Sequence, residues 1–286
     1  MKMRMKKNYR FTLRGDEKGA KKMKTIAIYQ RKGGVGKTVT AVNLSQGLNL
    51  LGMRVLLIDY NEQADCTRYF IDDKDVIIGM DNLITIDTKS ELDRYCNECL
   101  IHTKCGIDLI GTHENKLKEA FIRIQLGKME QTKRLSKVLK RFKNDYDICI
   151  IDCHNSEDLM FLNICLSADM ILAPSKTDDG SITGLYSLRQ YIDDIALEDN
   201  YDRRIDLKIL FTMVNRNNDD KEKIADIESD PLFQGMVLST KIRYQAKPIT
   251  KLSLKHDLVV DYSKQYNVGH DYKRLATEIL DILTRE

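Results

Sequence analysis

The chain has 286 residues, of which 42% are hydrophobic and 31% charged, and its formal net charge is +3 at pH 7. No apolar run is long enough to span a bilayer, and no apolar segment follows the positive charges at the N-terminus, so membrane insertion and secretion are not expected. Its seven cysteines lack the paired spacing of a disulfide framework, which favours a reducing compartment. We therefore expect a cytoplasmic protein large enough for one α/β core.

The first 24 residues differ in charge from the rest of the chain. They hold ten Lys or Arg and only two acidic residues, Asp16 and Glu17, which gives +8, whereas residues 25–286 sum to −5. Because they show little apolar periodicity, residues 1–24 are predicted to form a basic, flexible arm, and residues 25–286 a single domain. The arm could tether the protein to DNA or to a membrane surface. Equally, it could be a solvated tail, or Met23 could be the true start.

A glycine-rich segment, Lys32–Thr38, is the most informative part of the sequence and reads Lys-Gly-Gly-Val-Gly-Lys-Thr. The apolar, β-branched run Thr25–Gln30 before it predicts a buried strand, and Thr38–Leu51 after it has the apolar spacing of a helix. A strand, a glycine-rich turn and a helix in this order are typical of a phosphate-binding loop.

The backbone N–H groups of such a loop face the phosphates of a nucleotide, because glycines leave the approach open. Lys37 would add a positive charge, and Thr38 would offer a hydroxyl to Mg²⁺. The strict phosphate-loop pattern has glycine where this chain has Arg31. The loop residues predicted to bind the nucleotide are Gly33, Gly34, Val35, Gly36, Lys37, Thr38 and Val39.

Lys32–Thr38 resembles the deviant Walker A box of the ParA/MinD family of ATPases. The resemblance implies an α/β fold, with a doubly wound, mostly parallel sheet and helices on both faces, and ATP and Mg²⁺ as cofactors. It also implies a homodimer that sandwiches two ATP molecules, in which Lys32 reaches across to the phosphates of the opposite nucleotide. Such a dimer would bind non-specific DNA, so the protein would be nucleoid-associated, until a ParB-like centromere-binding protein stimulates hydrolysis.

The apolar run Arg54–Asp59 predicts a second strand that ends in a carboxylate, at the edge where such sheets bind ligands. The next segment, Asp59–Asp65, resembles the family's switch I pattern Asp-x-Asp-Pro-Gln-x-Asn, with Asn61 and Glu62 replacing the second Asp and the Pro. In the family, that Asp orients or activates the attacking water. An amide can hold a water but cannot accept its proton near neutral pH. Hydrolysis is therefore expected to be slow unless Asp59 or Glu62 substitutes.

A further strand is predicted at Tyr146–Asp152, and it resembles the family's Walker B strand. By that resemblance Asp152 would hold the Mg²⁺ shell through water. The family usually continues with Cys-Pro-Pro, whereas this chain has Cys153, His154 and Asn155. Proline fixes φ and these side chains do not, so the rigidity of switch II is in question. His154 could be an acid–base group or, more simply, a solvated loop residue.

Two more strands are predicted at Ala168–Pro174 and Leu207–Asn215, each followed by a polar loop and a helix-like stretch. This alternation indicates right-handed parallel crossovers. The resemblance places Asn215 and Arg216 where the family recognises adenine. An Asn amide can pair with the N6–N1 edge of adenine, although Asn at a strand end is also an ordinary turn residue.

Residues 231–256 contain no Asp or Glu but six Lys, Arg or His. In ParA-type proteins the corresponding surface touches DNA phosphates, and several such contacts would make binding strongly dependent on salt. The lysines at 247, 251 and 255 recur every four residues, so they are expected on one helix face, which could also be merely solvated. The residues predicted to bind DNA are Lys241, Arg243, Lys247, Lys251 and Lys255.

Cys96, Cys99, His102 and Cys105 offer four soft ligands that would suit zinc or an iron–sulfur centre. Their spacing is more compressed than the usual zinc patterns. If Leu92–Ile101 is helical, Cys96 and Cys99 share a face and could simply be buried. A metal-dependent reductase component is therefore one alternative function.

The sequence thus predicts a ParA-like ATPase that acts in the partition of a plasmid, chromosome or mobile element. Its predicted catalytic residues are Lys32, Lys37, Asp59 and Asn61. A second alternative, suggested by Asn61, is a scaffold or regulator that binds ATP and DNA with negligible turnover. Membrane targeting through the C-terminus, as in MinD-like relatives, is not expected, since only three residues follow the apolar helix pattern that ends at Leu283.

Overall fold

Seven strands form one sheet in the part of the chain that the computed structural model describes, residues 23–127, 130–156, 158–197, 205–215 and 217–285. The strands are β1 (Lys24–Ile28), β2 (Val55–Tyr60), β3 (Leu100–His102), β4 (Asp108–Ile110), β5 (Ile148–Cys153), β6 (Met170–Ser175) and β7 (Asp206–Phe211). Their order across the sheet is β3-β4-β2-β5-β1-β6-β7, and every neighbouring pair is parallel except β3 with β4. The predicted α/β fold with a mostly parallel sheet is confirmed.

Helices cover both faces of this sheet. The α-helices are α1 (Lys37–Leu50), α2 (Asp65–Arg68), α3 (Met80–Leu83), α4 (Lys89–Cys96), α5 (Lys116–Leu126), α6 (Arg134–Phe142), α7 (Leu159–Cys165), α8 (Asp179–Ala196), α9 (Asn218–Ser229), α10 (Ala246–Ser253) and α11 (Asn267–Arg285). Short 3₁₀ turns lie at Asp73–Asp75 and Pro231–Phe233.

Two apolar clusters, one on each face, form the core. Ile26 and Ile28 of β1 pack with α1, α10 and α11, whereas Ala27 of β1 and Tyr29, just after it, pack on the other face with helices α3 to α9. Successive side chains of a strand point to opposite faces, so a strand covered on both sides must be apolar at every position. This requirement explains the apolar runs of β2, β5 and β6, all of whose residues are buried and whose only charged members are Asp59 and Asp152, near the ends of β2 and β5.

Helices α1 and α11 pack closely against each other. A Cβ atom built on Gly47 of α1 would lie 2.8 Å from the Cβ of Ala276 in α11, so this position has no room for a larger side chain. The glycine inside α1 therefore costs helix propensity but permits the contact that holds the phosphate-loop helix against the last helix of the chain.

Several boundaries differ from those considered in the sequence, and three of them affect the interpretation. Strand β1 begins at Lys24 and Met23 is buried, so these two residues belong to the folded part and not to the predicted arm, whose residues 1–22 lie outside the described residues. Helix α4 ends at Cys96, because the chain then turns into β3 to pair with β4. Helix α10 ends at Ser253, and His256 has a left-handed φ of 56°, so Lys255 does not continue the helix face.

Within the described residues, no helix has both the length and the apolar character needed to cross a bilayer.

Candidate nucleotide-binding site

The glycine-rich segment forms the turn between β1 and α1, as predicted. Gly34 and Gly36 have φ values of 70° and 86°, a region that favours glycine. Two contacts fix the turn: Thr212, which follows β7, donates from Oγ1 to the Val35 carbonyl oxygen at 2.8 Å, and Lys37 Nζ donates to the carbonyl oxygens of residues 30 and 32 at 2.9 and 3.2 Å. Thr212 was not predicted from sequence, because it reaches the loop from a distant strand.

A cavity of about 310 Å³ opens in front of this turn. Helix α1 begins there without a side-chain cap and without an acidic residue in its first turn, so its N-terminal N–H groups are available to an anion. The residues that line the cavity are Gly33, Gly34, Gly36, Lys37, Thr38, Val39, Asn61, Gln63, Asp65, His154 and Asn155. Most of the predicted phosphate-loop residues are therefore brought together, with parts of both switch segments.

Asp152 lies at the end of β5, fully buried, and neither of its carboxylate oxygens has a hydrogen-bond partner in the described structure. Burial and the neighbouring Asp59 raise the pKa of Asp152 well above its usual value, while Thr38 and Lys37 act in the opposite direction. A buried carboxylate without a partner is costly, and a cation would compensate it. With the hydroxyl of Thr38, these oxygens fit a Mg²⁺ ion, which takes one or two protein ligands and keeps several waters.

Asp59 lies beside Asp152 in the register of β2 and β5, and it is also fully buried. Its Oδ2 accepts hydrogen bonds from both the backbone N and the Oγ1 of Thr67 at 2.7 Å, and its Oδ1 accepts one from the backbone N of Asn61 at 3.2 Å. Burial raises the pKa of Asp59 to about 7 in spite of these bonds. In this geometry Asp59 holds the switch I turn through these hydrogen bonds. A direct contact of Asp59 with an attacking water is therefore not favoured.

Asn61 is buried but lines the cavity, and its Oδ1 accepts a hydrogen bond from the backbone N of Gln63 at 3.1 Å. Glu62 is not among the lining residues: its Oε1 lies 3.3 Å from His154 Nε2 and its Oε2 lies 3.9 Å from Lys118 Nζ. Burial lowers the pKa of His154, although Glu62 opposes this shift. The carboxylate that does line the cavity belongs to Asp65, which was not predicted as a site residue.

Lys32 is exposed and is not among the residues that line the cavity beside its own loop. Its Nζ instead lies next to the N-terminus of α8, 3.1 Å from the position that a Cβ of Gly180 would occupy. There burial acts to raise the pKa of Asp178, but hydrogen bonds from Ser181, with smaller contributions from the positive charges of Lys32 and Lys176, hold it below its usual value.

Asn215, one of the two predicted adenine contacts, is not among the residues that line this cavity. Asn215 is exposed and its backbone N donates to Asp220 Oδ2 at 2.6 Å, an interaction that fixes the loop before α9. Arg216 lies outside the described residues. Met213, with a left-handed φ of 55°, places its Cε 3.7 Å from where a Cβ of Gly36 would be, so the end of β7 does approach the phosphate loop.

The five basic residues predicted to bind DNA fall into two groups. Lys241 Nζ lies 2.8 Å from Glu228 Oε1, and Arg243 makes a bidentate pair with the buried Asp271 at 2.6 and 2.7 Å. Both cations are thus engaged by carboxylates of the same chain. The remaining three are exposed lysines, on α10 and just beyond it: Lys247, Lys251 and Lys255.

The cysteine-rich segment does not form a metal centre in the described part of the chain, where no group of three or more His, Cys, Asp or Glu is arranged to hold an ion. Cys96 and Cys99 are buried, and the Cys99 thiol donates to the Cys96 carbonyl oxygen at 3.4 Å. The imidazole of His102 faces Asp108 instead, with 2.6 Å between Nδ1 and Oδ1. The structure therefore favours the buried-thiol interpretation over the reductase alternative.

Comparison with known proteins shows which family this chain matches. The model of the AAA domain family AAA_31 matches residues 23–207. The chromosome partitioning protein ParA of Caulobacter vibrioides is 27% identical over 277 residues, which cover 91% of this chain and 95% of that protein. The sporulation initiation inhibitor protein Soj of Bacillus subtilis is 28% identical over 228 residues, or 77% of this chain and 83% of that protein.

A solved structure of cobyrinic acid a,c-diamide synthase from Mycobacterium smegmatis, with bound ADP and magnesium, has a similar fold. It superimposes with a TM-score of 0.74 at 21% identity and covers 90% of this chain and 94% of that one. At this level of identity, the superposition supports the fold of the present chain and nothing finer.

Proposed function

Because this chain belongs to the AAA_31 family and is an ATPase of the ParA/MinD type, we propose that it dimerises on ATP, binds DNA as a dimer, and acts in the partition of a plasmid, chromosome or mobile element. The observation that carries the proposal is the phosphate-loop turn together with the buried carboxylate of Asp152, whose oxygens have no hydrogen-bond partner among the described residues. A triphosphate would accept hydrogen bonds from the N–H groups of the turn, and a magnesium ion would bind the unpaired oxygens of Asp152.

Each residue of the site has a separate role in this proposal. The N–H groups at the start of α1 and the ammonium of Lys37 bind the phosphates, and Thr38 with Asp152 would hold Mg²⁺, which neutralises phosphate charge when bound. Asp59 holds switch I in place through Thr67. Asn215 and Arg216 would contact the adenine base beyond the cavity.

Lys32 would serve the second subunit. Since its ammonium lies outside the cavity of its own chain, it is free to reach the phosphates of a nucleotide bound by a partner copy. ATP then acts as the ligand that favours the dimer, because the dimer supplies one more cation to each triphosphate than the monomer does.

The dimer would bind DNA phosphates through its exposed lysines, and release would follow hydrolysis stimulated by a ParB-like protein. Lys247, Lys251 and Lys255 are the best candidates, because Lys241 and Arg243 would have to give up ion pairs with Glu228 and Asp271.

The test compares Lys32→Ala with the natural chain by light scattering in the presence and absence of ATP and Mg²⁺. We expect Lys32→Ala to bind ATP but stay monomeric, Lys37→Ala to lose ATP binding, and the control Lys140→Ala, an exposed lysine of α6, to behave like the natural chain. Dimerisation of Lys32→Ala to the natural extent would refute the bridging role, and absence of an ATP-dependent dimer in the natural chain would refute the proposal itself.

One specific observation, Asn61 in place of the switch I Asp, favours a second candidate function. In it the protein binds ATP and DNA as a latch without appreciable turnover. Steady-state phosphate release with DNA present separates the two: a cycling ATPase releases phosphate continuously, whereas a latch releases none until Asn61→Asp restores the carboxylate.

A further inference from the structure

The nucleotide cavity has a single carboxylate among the described residues that line it. The lining consists of backbone and small apolar groups of the phosphate loop, one cation, one hydroxyl, one imidazole, three amides and the carboxylate of Asp65. Asp65 is the first residue of α2, with a side chain 48% exposed, so it is open to a ligand and to water.

The other carboxylates near the cavity are engaged or shielded. Asp59 is fully buried, with one oxygen accepting two hydrogen bonds from Thr67, and Glu62 does not itself line the cavity but contacts His154, which does. Asp152 is fully buried behind the loop, in the position that fits a cation. Asp59 and Glu62, which the sequence suggested as substitutes for the missing Asp, are therefore not among the residues that line the cavity.

The backbone conformation of the switch I turn places Asp65 at the cavity. Ala64 has a left-handed φ of 53°, and its backbone N donates to the Asn61 carbonyl oxygen at 3.0 Å, so the chain folds back between the two positions. Asp65 Oδ1 lies 3.0 Å from an Arg68 guanidinium nitrogen. This contact positions one carboxylate oxygen and leaves the other to accept a further hydrogen bond.

We propose that Asp65 is the carboxylate that accepts a hydrogen bond from the attacking water during ATP hydrolysis, in the place of the Asp that Asn61 replaces. The inference rests on the proposed ATPase function. The water oxygen bonds to the γ-phosphorus while the bond from that phosphorus to the bridging oxygen breaks, and ADP leaves with the electron pair. One water proton passes to Asp65 and is then released to solvent, and the other remains on the phosphate.

Asn61 contributes to the same step in a different way. Because its Oδ1 accepts the hydrogen bond from Gln63 N, its amide NH₂ group is the part available to the cavity. An amide donor that holds the water and a carboxylate that accepts its proton together do what a single Asp does elsewhere in the family.

The experiment measures steady-state kcat and KM for ATP, with DNA present, for the natural chain and for Asp65→Asn. We expect kcat to fall by about tenfold or more, within the range for loss of such a group, while KM and ATP-dependent dimerisation change less than about twofold. The matched control is Glu114→Gln, which removes a carboxylate 3.9 Å from the same Arg68 but outside the cavity, and should leave kcat unchanged.

A double variant makes the assignment specific. Asp65→Asn combined with Asn61→Asp returns the carboxylate to the position that the family uses, and should recover most of the lost kcat. Should Asp65→Asn fold poorly, Asp65→Ser, which keeps a residue type suited to a helix start, is measured in its place.

The outcomes separate this inference from the proposed function. If the natural chain turns over ATP and Asp65→Asn keeps the same kcat, the role of Asp65 is refuted and the ATPase function stands. If the natural chain binds ATP and dimerises without turnover, both the hydrolytic function and the role of Asp65 are refuted.

Discussion

Glu62 and His154 are in contact, with 3.3 Å between Oε1 of the carboxylate and Nε2 of the imidazole. Each stands where the ParA/MinD pattern has a proline, one after β2 and the other after β5, and these two strands are neighbours in the sheet. Two departures that look independent in the sequence therefore meet as one interaction between switch I and switch II. A side-chain contact takes over part of the restraint that the two proline rings would impose on the backbone.

This contact predicts energetic coupling between the two switches. We expect a double-mutant cycle with Glu62→Ala and His154→Ala to give a coupling energy of about 0.5–1 kcal/mol in urea unfolding, at the lower end for residues in contact because both side chains are partly exposed. Effects that add to within roughly 0.3 kcal/mol would show that the two side chains do not act together.

Asp152→Asn is expected to stabilise the protein without ligand and to remove its response to magnesium. The natural carboxylate is fully buried with no hydrogen-bond partner in the described structure, a situation that costs roughly 1–3 kcal/mol. Thermal melts with and without Mg²⁺ and ATP measure both effects, and the exposed control Asp145→Asn should show neither. A variant that is less stable than the natural chain without ligand would contradict this view of Asp152.

The exposed lysines of α10 should govern the salt dependence of DNA binding. Replacing Lys247 and Lys251 with Ala is expected to weaken binding of the ATP-bound protein to duplexes of any sequence. It should also reduce the slope of log K against log salt by about 2, or about 1 for each phosphate contact. Fluorescence anisotropy over a salt series provides the measurement. An unchanged slope, equal to that of a Lys140→Ala and Lys143→Ala control, would place the DNA surface elsewhere.

Arg243 should matter for stability more than for DNA. Its partner Asp271 has a side chain only 3% exposed, and loss of the cation would leave that carboxylate buried and unpaired. We expect Arg243→Ala to lower the free energy of unfolding by about 2–3 kcal/mol, less than for a fully buried pair because the guanidinium is partly exposed. Adding Asp271→Asn should recover much of the loss, and failure to recover it would mean that packing, not charge, is what Arg243 contributes.

His113 should make stability depend on pH. Its Nδ1 lies 3.0 Å from Asp81 Oδ1 and its Nε2 lies 2.7 Å from the Val76 carbonyl oxygen, so both ring nitrogens face acceptors and the charged imidazole is favoured. Burial is the largest single effect and opposes the charge, but the hydrogen bond and charge of Asp81, the bond to the Val76 carbonyl oxygen and the charge of Asp73 together outweigh it and raise the pKa of His113. A raised pKa in the folded state means stabilisation below the unfolded pKa of about 6.5, which is lost as the pH rises through the folded value.

The measurement for His113 is urea unfolding at pH 5.5 and pH 8.5. At pH 5.5, His113→Gln should have a lower free energy of unfolding than the natural chain. At pH 8.5 the two should differ little. A variant equally destabilised at both values would show that the imidazole is neutral when folded.

The sequence by itself predicted the phosphate loop and five strands of the sheet, β1, β2, β5, β6 and β7, but not the short strands β3 and β4. The runs that become β2 and β5 are apolar, apart from Asp59 and Asp152 near their ends, because strands covered on both faces bury every side chain, and the glycines of the loop are required by its left-handed turns. These are local constraints, readable within a few residues, whereas the role of Asp152 was implied by the resemblance of its strand to the Walker B strand.

Only the tertiary structure decided which carboxylate faces the nucleotide and which basic residues remain free. Asp59, Glu62 and Asp65 lie within seven residues of one another, yet Thr67 engages the first and His154 the second, so only Asp65 lines the cavity. Likewise, Arg243 is committed to a carboxylate 28 residues away. Charges pair according to how distant segments pack, and that information is absent from any single stretch of sequence.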